Sequence, residues 1–295
     1  MHKAGFINII GKPNVGKSTL LNQLIGEKLA IVTSKPQTTR QRMLAIYNDD
    51  DHQLIFSDTP GLIYEPAYEL QKSMNKYIYS SFEDADAILF ITDIFDNFEY
   101  TEKFLASLKS AEVPKYLVIN KMDLGTEEKI SEQLEKWHEI IQFTEVFIIS
   151  AKSGINTDNL IKSLKENIPA SPPYYPKDQF TDKTERFFVE ELIREKILML
   201  YQKEVPYSVQ VVVDEWRDAF RKNEKLIYIQ ANIFISRKSQ KHIIIGRKGE
   251  MIKKLGTLAR EDIEEFLGSK VFLELIVKEL DDWRNDEKTL KKLGY

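Results

Sequence analysis

Five short apolar runs punctuate the first half of the chain: "AGFINII", "DHQLIFSD", "DAILFITD", "PKYLVINK" and "EVFIISA". Each is rich in β-branched residues, apolar at consecutive positions and bounded by turn formers, the pattern of a strand buried on both faces. Between them lie stretches with apolar residues three and four apart, such as Glu99–Ala111 and Thr126–Phe143, which predict amphipathic helices. Strands alternating with helices predict an α/β domain over residues 1–168, a doubly wound and mostly parallel sheet covered on both sides.

The pattern changes after residue 168. "PASPPYYPKDQF" holds four prolines in twelve residues and can continue neither a helix nor a central strand, so residues 169–180 are expected to be a linker. Residues 181–295 then read α-β-β-α-α-β and end in a further helix. "TERFFVEELIREKILMLYQKE" has helical spacing, and "KLIYIQANIFIS" alternates as a half-buried strand does. This is an α+β unit, not a second doubly wound one. Phe187, Phe188 and Tyr201 are expected in its core, not on a stacking surface.

Composition narrows the classes. The chain has 295 residues, 42% hydrophobic and 30% charged, which suits two folded domains and excludes global disorder. No apolar run approaches the ~18 residues of a membrane span. The first strand leads straight into a glycine loop, so no secretory leader is expected. The absence of cysteine excludes disulfides, thiol catalysis and thiolate-bound metal, and suits a reducing compartment. Four scattered histidines argue against a histidine metal site. The net charge of −4 is unevenly spread: residues 1–180 carry 19 Lys+Arg against 25 Asp+Glu, and residues 181–295 carry 23 against 21. Between Arg237 and Lys254 seven basic residues face one acid, Glu250, which predicts a local anionic partner.

Two glycine-cornered loops carry lysines. The first, "GKPNVGKS", fits G-x-x-x-x-G-K-[ST] between a predicted strand and a predicted helix. Its backbone from Gly11 through Lys12, Pro13, Asn14, Val15 and Gly16 is expected to wrap phosphate oxygens, with Thr19 in the helix that follows. Lys17 supplies charge to the β- and γ-phosphates, and Ser18 a hydroxyl to magnesium. Three further motifs stand at the ends of predicted strands, where open α/β sheets bind ligands. In "DTPG", Asp58 can hold magnesium through water while Thr59, Pro60 and Gly61 lead the chain past the γ-phosphate. In "NKMD", Asn120 and Lys121 precede Asp123, whose carboxylate can accept from the N1–H and amine of guanine, a donor pair that adenine lacks. In "SAK", the backbone of Ser150, Ala151 and Lys152 can meet the guanine carbonyl. Four motifs in this order imply a guanine-nucleotide site. A second magnesium-binding hydroxyl should come from "PQTTRQR", from Thr39 or else Thr38, giving Lys17, Thr39, Asp58 and Gly61 as the expected catalytic set. Ras-like GTPases place a glutamine after D-x-x-G to orient water, whereas this chain has Leu62, so hydrolysis is slow or assisted. Arg40 and Arg42 are candidates to offset developing charge.

The phosphate loop with Asn14, "QTTR", "DTPGL", "NKMD" and "SAK" together resemble the Era branch of bacterial GTPases. The second loop, "IIIGRKG", resembles the G-x-x-G loop of a type II KH domain, and "DDWRNDEKTLKKLGY" resembles an Era tail. By that resemblance Ile245, Gly246, Arg247, Lys248 and Gly249, with Lys241, Ile252 and Lys253, would hold RNA, the loop on the backbone and the adjacent groove on about four bases. The resemblance implies a GTP/GDP switch that binds the 3′ end of 16S rRNA and assists small ribosomal subunit assembly. Nothing in the sequence suggests an obligate oligomer, so a monomer is expected. It also implies a cytoplasmic protein with some peripheral membrane contact. Asn14 stands where potassium-stimulated relatives carry a potassium ligand. Unassisted turnover on the order of 10⁻⁴–10⁻³ per second is expected. A membrane-associated GTPase in cell-cycle or division control is the alternative reading. A metabolic kinase would leave "NKMD" unexplained.

Overall fold

In the computed structural model, which describes residues 1–221 and 224–295, the five apolar runs become the parallel strands of one sheet. The first unit, Met1–Asp182, contains β1 (Lys3–Ile10), α1 (Lys17–Ile25), β2 (Met43–Asn48), β3 (His52–Asp58), α2 (Glu69–Ser80), β4 (Ala87–Asp93), α3 (Glu102–Ser110), β5 (Lys115–Asn120), α4 (Glu127–Ile140), β6 (Glu145–Ile148) and α5 (Thr157–Asn167). The strand order is β2-β3-β1-β4-β5-β6. All residues of β4 are buried, as its unbroken apolar run requires. The edge strand β2, which the hydrophobic pattern does not reveal, pairs antiparallel with β3.

The Pro-rich segment lies against this sheet. Gln53 Oε1 accepts from the backbone N–H groups of Tyr174 and Tyr175 at 2.7 and 3.0 Å, and Ile46 N donates to the Phe180 carbonyl at 2.8 Å. Prolines cannot extend the ladder, but the residues between them satisfy polar groups along its edge, and the first unit runs on to Asp182.

The second unit, Lys183–Gly294, contains α6 (Glu185–Leu200), β7 (Val209–Arg221), β8 (Glu224–Ile235), α7 (Lys238–Ile245), α8 (Glu250–Leu267), β9 (Val271–Glu279) and α9 (Glu287–Lys292). Its sheet order is β7-β8-β9, with β7 antiparallel and β9 parallel to β8. Alternate strand residues Val211, Ile229 and Ile233 meet Ile193 and Ile197 of α6 and Leu255 and Ile263 of α8 in one core. Phe188 and Tyr201 are buried. Trp283, fully buried, donates from Nε1 to the Ser208 carbonyl at 3.0 Å, and Gln240 of α7 donates to Ser208 Oγ at 2.8 Å. The C-terminal segment is thereby fixed to the same backbone turn that supports α7.

Glu190 on α6 accepts from Val213 N at 2.8 Å, beside the bulge where β7 shifts register between Val213 and Glu215. Burial raises this carboxyl from 4.5 to about 7, and Glu191 adds to the shift while the Val213 N–H and Arg186 oppose it. A carboxyl raised in the folded state contributes stability that is complete below the ordinary value and is lost as pH rises through the folded one. The second unit should therefore lose roughly 1 kcal/mol between pH 6 and pH 8 through this group. Urea unfolding at both pH values should show that loss in the parent and a flatter profile in Glu190→Gln; identical slopes would assign the dependence to other groups.

Candidate functional site

The phosphate loop, Gly11–Ser18, joins β1 to α1. Gly16 has φ 101°, and a Cβ there would stand 2.2 Å from Asn120 Nδ2. No other residue fits both the angle and the contact. Asn120, only 3% exposed, donates from Nδ2 to the Val15 carbonyl at 2.8 Å and accepts at Oδ1 from Ala151 N at 2.9 Å. One amide thus stitches the phosphate loop to "NKMD" and "SAK". Asp123 follows on a short 3-10 turn, Met122–Leu124, with its side chain exposed, while Lys121 pairs with Asp93 at the end of β4. Ser150 and Ala151 are buried, and Lys152 is exposed.

The expected magnesium-binding oxygens converge. Ser18 Oγ lies 2.8 Å from Asp58 Oδ2 and 2.9 Å from Thr39 Oγ1, and Thr39 Oγ1 lies 3.2 Å from the same carboxylate oxygen. Asp58 Oδ1 is buried with no hydrogen-bond partner. Three hard oxygen donors at one point, one carboxylate with an unused lone pair, fit a magnesium ion and its bound water. Thr38 also lines the cavity, but its hydroxyl is bonded to the Lys35 carbonyl at 2.7 Å and to Thr33 Oγ1 at 2.8 Å, not to the magnesium-binding oxygens. Lys17 is buried, donating to the carbonyls of Gly11 at 3.2 Å and Lys12 at 2.7 Å. Burial lowers its pKa to about 8, with Asp58 opposing; burial likewise raises the Asp58 carboxyl, with Lys17, Ser18 and Thr39 opposing.

A cavity of about 330 Å³ opens over these groups, lined by Pro13, Asn14, Ser18, Thr39, Gly61 and Lys121. Its far wall, Ile31–Ser34 with Gln37, was not foreseen: it carries no motif and is marked only by lying between the phosphate loop and Thr39. Asn14 Nδ2 donates to the Ser34 carbonyl in that wall at 3.2 Å. Several motif residues act as scaffold. Thr59 Oγ1 donates to the Ile9 carbonyl at 2.7 Å, Val15 and Pro60 are buried, and Leu62 packs with Ile10, Ile78 and Ile88 while its N–H reaches the Gly11 carbonyl at 3.0 Å.

Two expectations change. Arg42 does not face the cavity; its guanidinium donates to Ser57 Oγ, Asn8 Oδ1 and Asp84, which carries it across β1 and β3. Arg40 is 2% exposed and does not line the cavity either. Lys12 meets the phosphate site through its backbone only. Its Nζ lies 2.6 Å from Asp96 Oδ1, 2.6 Å from Asn97 Oδ1 and 4.1 Å from the Tyr100 ring centroid. Asp96 also accepts from Thr92 and Tyr100, each at 2.7 Å. Burial opposes the Asp96 charge, but Lys12, Thr92 and Tyr100 outweigh it and hold the carboxyl below its ordinary value. The end of β4 and the loop after it therefore hold one lysine from "NKMD" through Asp93 and one from the phosphate loop through Asp96.

In the second unit, the glycine-cornered loop turns between α7 and α8 through positive φ at Gly246 (74°), Lys248 (50°) and Gly249 (79°). A Cβ on Gly246 would stand 2.6 Å from Met251 Cγ, whereas one on Gly249 would meet no atom within 4 Å. Arg247, Lys248, Lys241 and Lys253 are exposed. Ile252 and Lys253 line a groove of about 630 Å³ with Gly256, Thr257 and Arg260 of α8 and Phe272–Leu275 of β9. Ile245, expected to hold RNA, packs partly against the core instead of lining the groove, and Ile244 beside it is fully buried. The sequence marks Ile252 and Lys253 but not Gly256, Thr257 and Arg260, which the i, i+4 spacing from Ile252 would have found; the β9 wall, 20 residues further on, carries no local signal.

Residues 6–121 match the family described as 50S ribosome-binding GTPase, and residues 204–284 match the KH domain. The chain is 48% identical to GTPase Era of Clostridium kluyveri over the whole of both proteins. Among solved structures it is similar to a variant of Era from Aquifex aeolicus bound to GDP and AlF4⁻, with 37% identity, 99% of each chain covered and a TM-score of 0.93. It is also similar to Era in complex with MgGDPNP and nucleotides 1506–1542 of 16S ribosomal RNA, with 38% identity, 100% of this chain and 99% of that chain covered, and a TM-score of 0.92.

The Lys12–Asp96 pair yields a prediction. Lys12→Met leaves Asp96 buried without its cation, so a fluorescent guanine nucleotide should dissociate about 3–10 times faster, a cost of order 1 kcal/mol. Lys12→Arg should stay near the parent, and adding Asp96→Asn to Lys12→Met should cost little more, because contacting residues couple. Rates within twofold in every variant would show that the phosphate loop does not lean on this pair.

Proposed function

The chain belongs to the Era family of GTPases, and we propose on that premise that it is a GTP-hydrolysing switch whose second unit binds the 3′ end of 16S rRNA and assists small ribosomal subunit assembly. The observation that carries the switch is the meeting of Ser18, Thr39 and Asp58 within 3.2 Å of one another. Thr39 comes from a segment that shares no strand or helix with the other two, so a ligand at this point orders that segment. Magnesium bound here supplies positive charge beside the β- and γ-phosphates. Lys17 exchanges the carbonyls of Gly11 and Lys12 for phosphate oxygens, and Asp123 accepts from the guanine edge. The Leu62 side chain is committed to the core and has no polar group with which to orient water.

Potassium fits the same reading. Asn14 lines the cavity with φ 63°, and its amide nitrogen is engaged by the Ser34 carbonyl, which leaves the amide oxygen to serve a cation. A potassium ion on that oxygen would offset charge where an arginine finger acts in other GTPases. Phosphate release in potassium should exceed that in sodium by about tenfold or more; equal rates would remove potassium from the mechanism.

The RNA reading rests on the strained basic loop beside the groove, in a chain whose relative was crystallised with a 16S fragment. A single-stranded oligonucleotide copying the rRNA 3′ end should bind more tightly than a scrambled one, and more tightly with a GTP analogue than with GDP. Gly249→Asp is the informative variant. A Cβ there meets no atom within 4 Å, so the structural cost is the left-handed backbone angle alone, about 1–2 kcal/mol, and the fold should persist, as circular dichroism would check, while binding falls tenfold or more. Gly246→Asp would collide with Met251 and report only on folding. Weak, sequence-blind binding that salt abolishes, with binding to anionic vesicles instead, would favour the membrane-associated alternative.

A further inference from the structure

At the end of the groove far from the glycine loop stands a pile of three side chains, one from each strand of the sheet. Phe272 of β9 stacks on Tyr228 of β8, with ring centroids 5.7 Å apart and planes 11° apart. Arg217 of β7 lies over the other side of Tyr228, its guanidinium carbon 4.2 Å from the ring centroid. The register makes this a single cross-strand row, with Arg217 opposite Tyr228 and Tyr228 opposite Phe272. All three sit on the sheet face away from the helices, since their neighbours Ile227, Ile229 and Leu273 pack with the core.

Phe272 closes the row at the open edge of β9. It lines the groove and remains 47% exposed although one ring face rests on Tyr228. Next to it on the same face, Glu274 also lines the groove. Its Oε2 accepts from the Tyr228 hydroxyl, while no hydrogen bond from the described residues engages Oε1. Glu215 binds Arg217 through Oε1 at 2.6 Å, so carboxylates flank the pile on two strands. Such a place repels phosphate. The phosphate-attracting residues Lys241, Arg247, Lys248 and Lys253 stand at the other end, around the loop. Gly249 and Arg260 are separated by eleven residues of helix, roughly 16 Å along its axis, enough for about three or four nucleotides.

We propose that Phe272, backed by Tyr228 and Arg217, is a stacking platform for the unpaired base at the far end of the groove, and that Glu274 selects a base carrying an amino group over uracil. The inference rests on the nucleic-acid reading of the groove. A flat apolar ring takes the face of any base, and pre-stacking on Tyr228 and Arg217 fixes its orientation before binding. A carboxylate can only accept, so it suits the exocyclic amine of cytosine, adenine or guanine, whereas uracil offers only its N3–H, set between two carbonyl oxygens that the carboxylate repels. The sugar–phosphate backbone then runs along the basic loop side, and the base alone reaches the acidic end.

The test walks 2-aminopurine through a hexanucleotide copying the rRNA 3′ end. One position should be quenched most strongly on the parent protein. Phe272→Ala should abolish that quenching and weaken binding about tenfold, as loss of one stacked base does, and Phe272→Trp should restore both. The salt dependence should be unchanged in Phe272→Ala, because no phosphate contact is lost, but shallower by about one charge in Lys248→Ala. Glu274→Gln should narrow the preference for an amino-bearing base over uracil at that position. If the parent binds and Lys248→Ala changes the salt slope, yet Phe272→Ala leaves quenching and affinity within twofold, the platform is wrong and the groove stands. If the parent binds no oligonucleotide, both fall together.

Discussion

The nucleotide cleft depends on one buried amide. Asn120 must find partners for a donor and an acceptor that water cannot reach, and it finds them on two other loops, at Val15 and Ala151. Those partners are 105 and 31 residues away in sequence, so a single side chain sets the distance between segments that would otherwise drift apart. An aspartate would keep the acceptor but present oxygen to the Val15 carbonyl, leaving two buried acceptors facing each other. Gly16 is the counterpart of this arrangement, because the amide occupies the place of its missing Cβ. Once these contacts are made, Lys121 and Asp123 are aimed by the short turn that follows.

The charges in the cleft obey the same logic. Burial disfavours the charged forms of Lys17 and Asp58, and each is the other's main compensation. Groups already stripped of water interact strongly with whatever charge arrives beside them and need little reorganisation when it does. The cost of holding them there is borne by the sheet. Asp58 ends β3, Lys17 opens α1, and Leu62 fills the core immediately behind. That packing role explains why the position after "DTPG" is apolar: a side chain that completes the core beside Ile10 and Ile88 cannot also point at a water molecule.

Local periodicity and motif spacing carried much of this architecture. Consecutive apolar positions marked β1, β3, β4, β5 and β6, and the prolines marked where the α/β pattern ends. What escaped notice depended on partners distant in sequence. β2 has no distinctive pattern because it is an edge strand whose outer groups are met by residues near 180. Of the two threonines, the sequence favours Thr39, and its hydroxyl is the one that meets Ser18 and Asp58 while that of Thr38 bonds to the Lys35 carbonyl. Arg42 looked free to assist catalysis until Asn8, Ser57 and Asp84 were seen to claim it. Trp283 carries no local signature of its place; its Nε1 is tied to a carbonyl 75 residues earlier. Of the groove, the sequence marks Ile252 and Lys253 beside the glycine loop, whereas the β9 wall joins it only through the fold.

The two glycine-cornered loops use one principle under different constraints. In the first, Gly16 is required by its positive φ and by a neighbouring side chain that fills the space a Cβ would need. In the second, Gly246 is required by Met251, but Gly249 is required by its backbone angle alone, and its outer side is clear. Between them Lys248 accepts a left-handed conformation that costs a non-glycine residue about 1 kcal/mol or more. Such strain persists only where the surroundings enforce it, here through the Gly246 N–H bonded to the His242 carbonyl and the Gly249 N–H bonded to the Gly246 carbonyl. The result is a turn tight enough to leave Arg247 and Lys248 exposed together at its apex. A loop that merely joined two helices would not need that strain, nor a clear outer face at Gly249. A loop that presses its backbone and two cations against a chain of phosphates needs both.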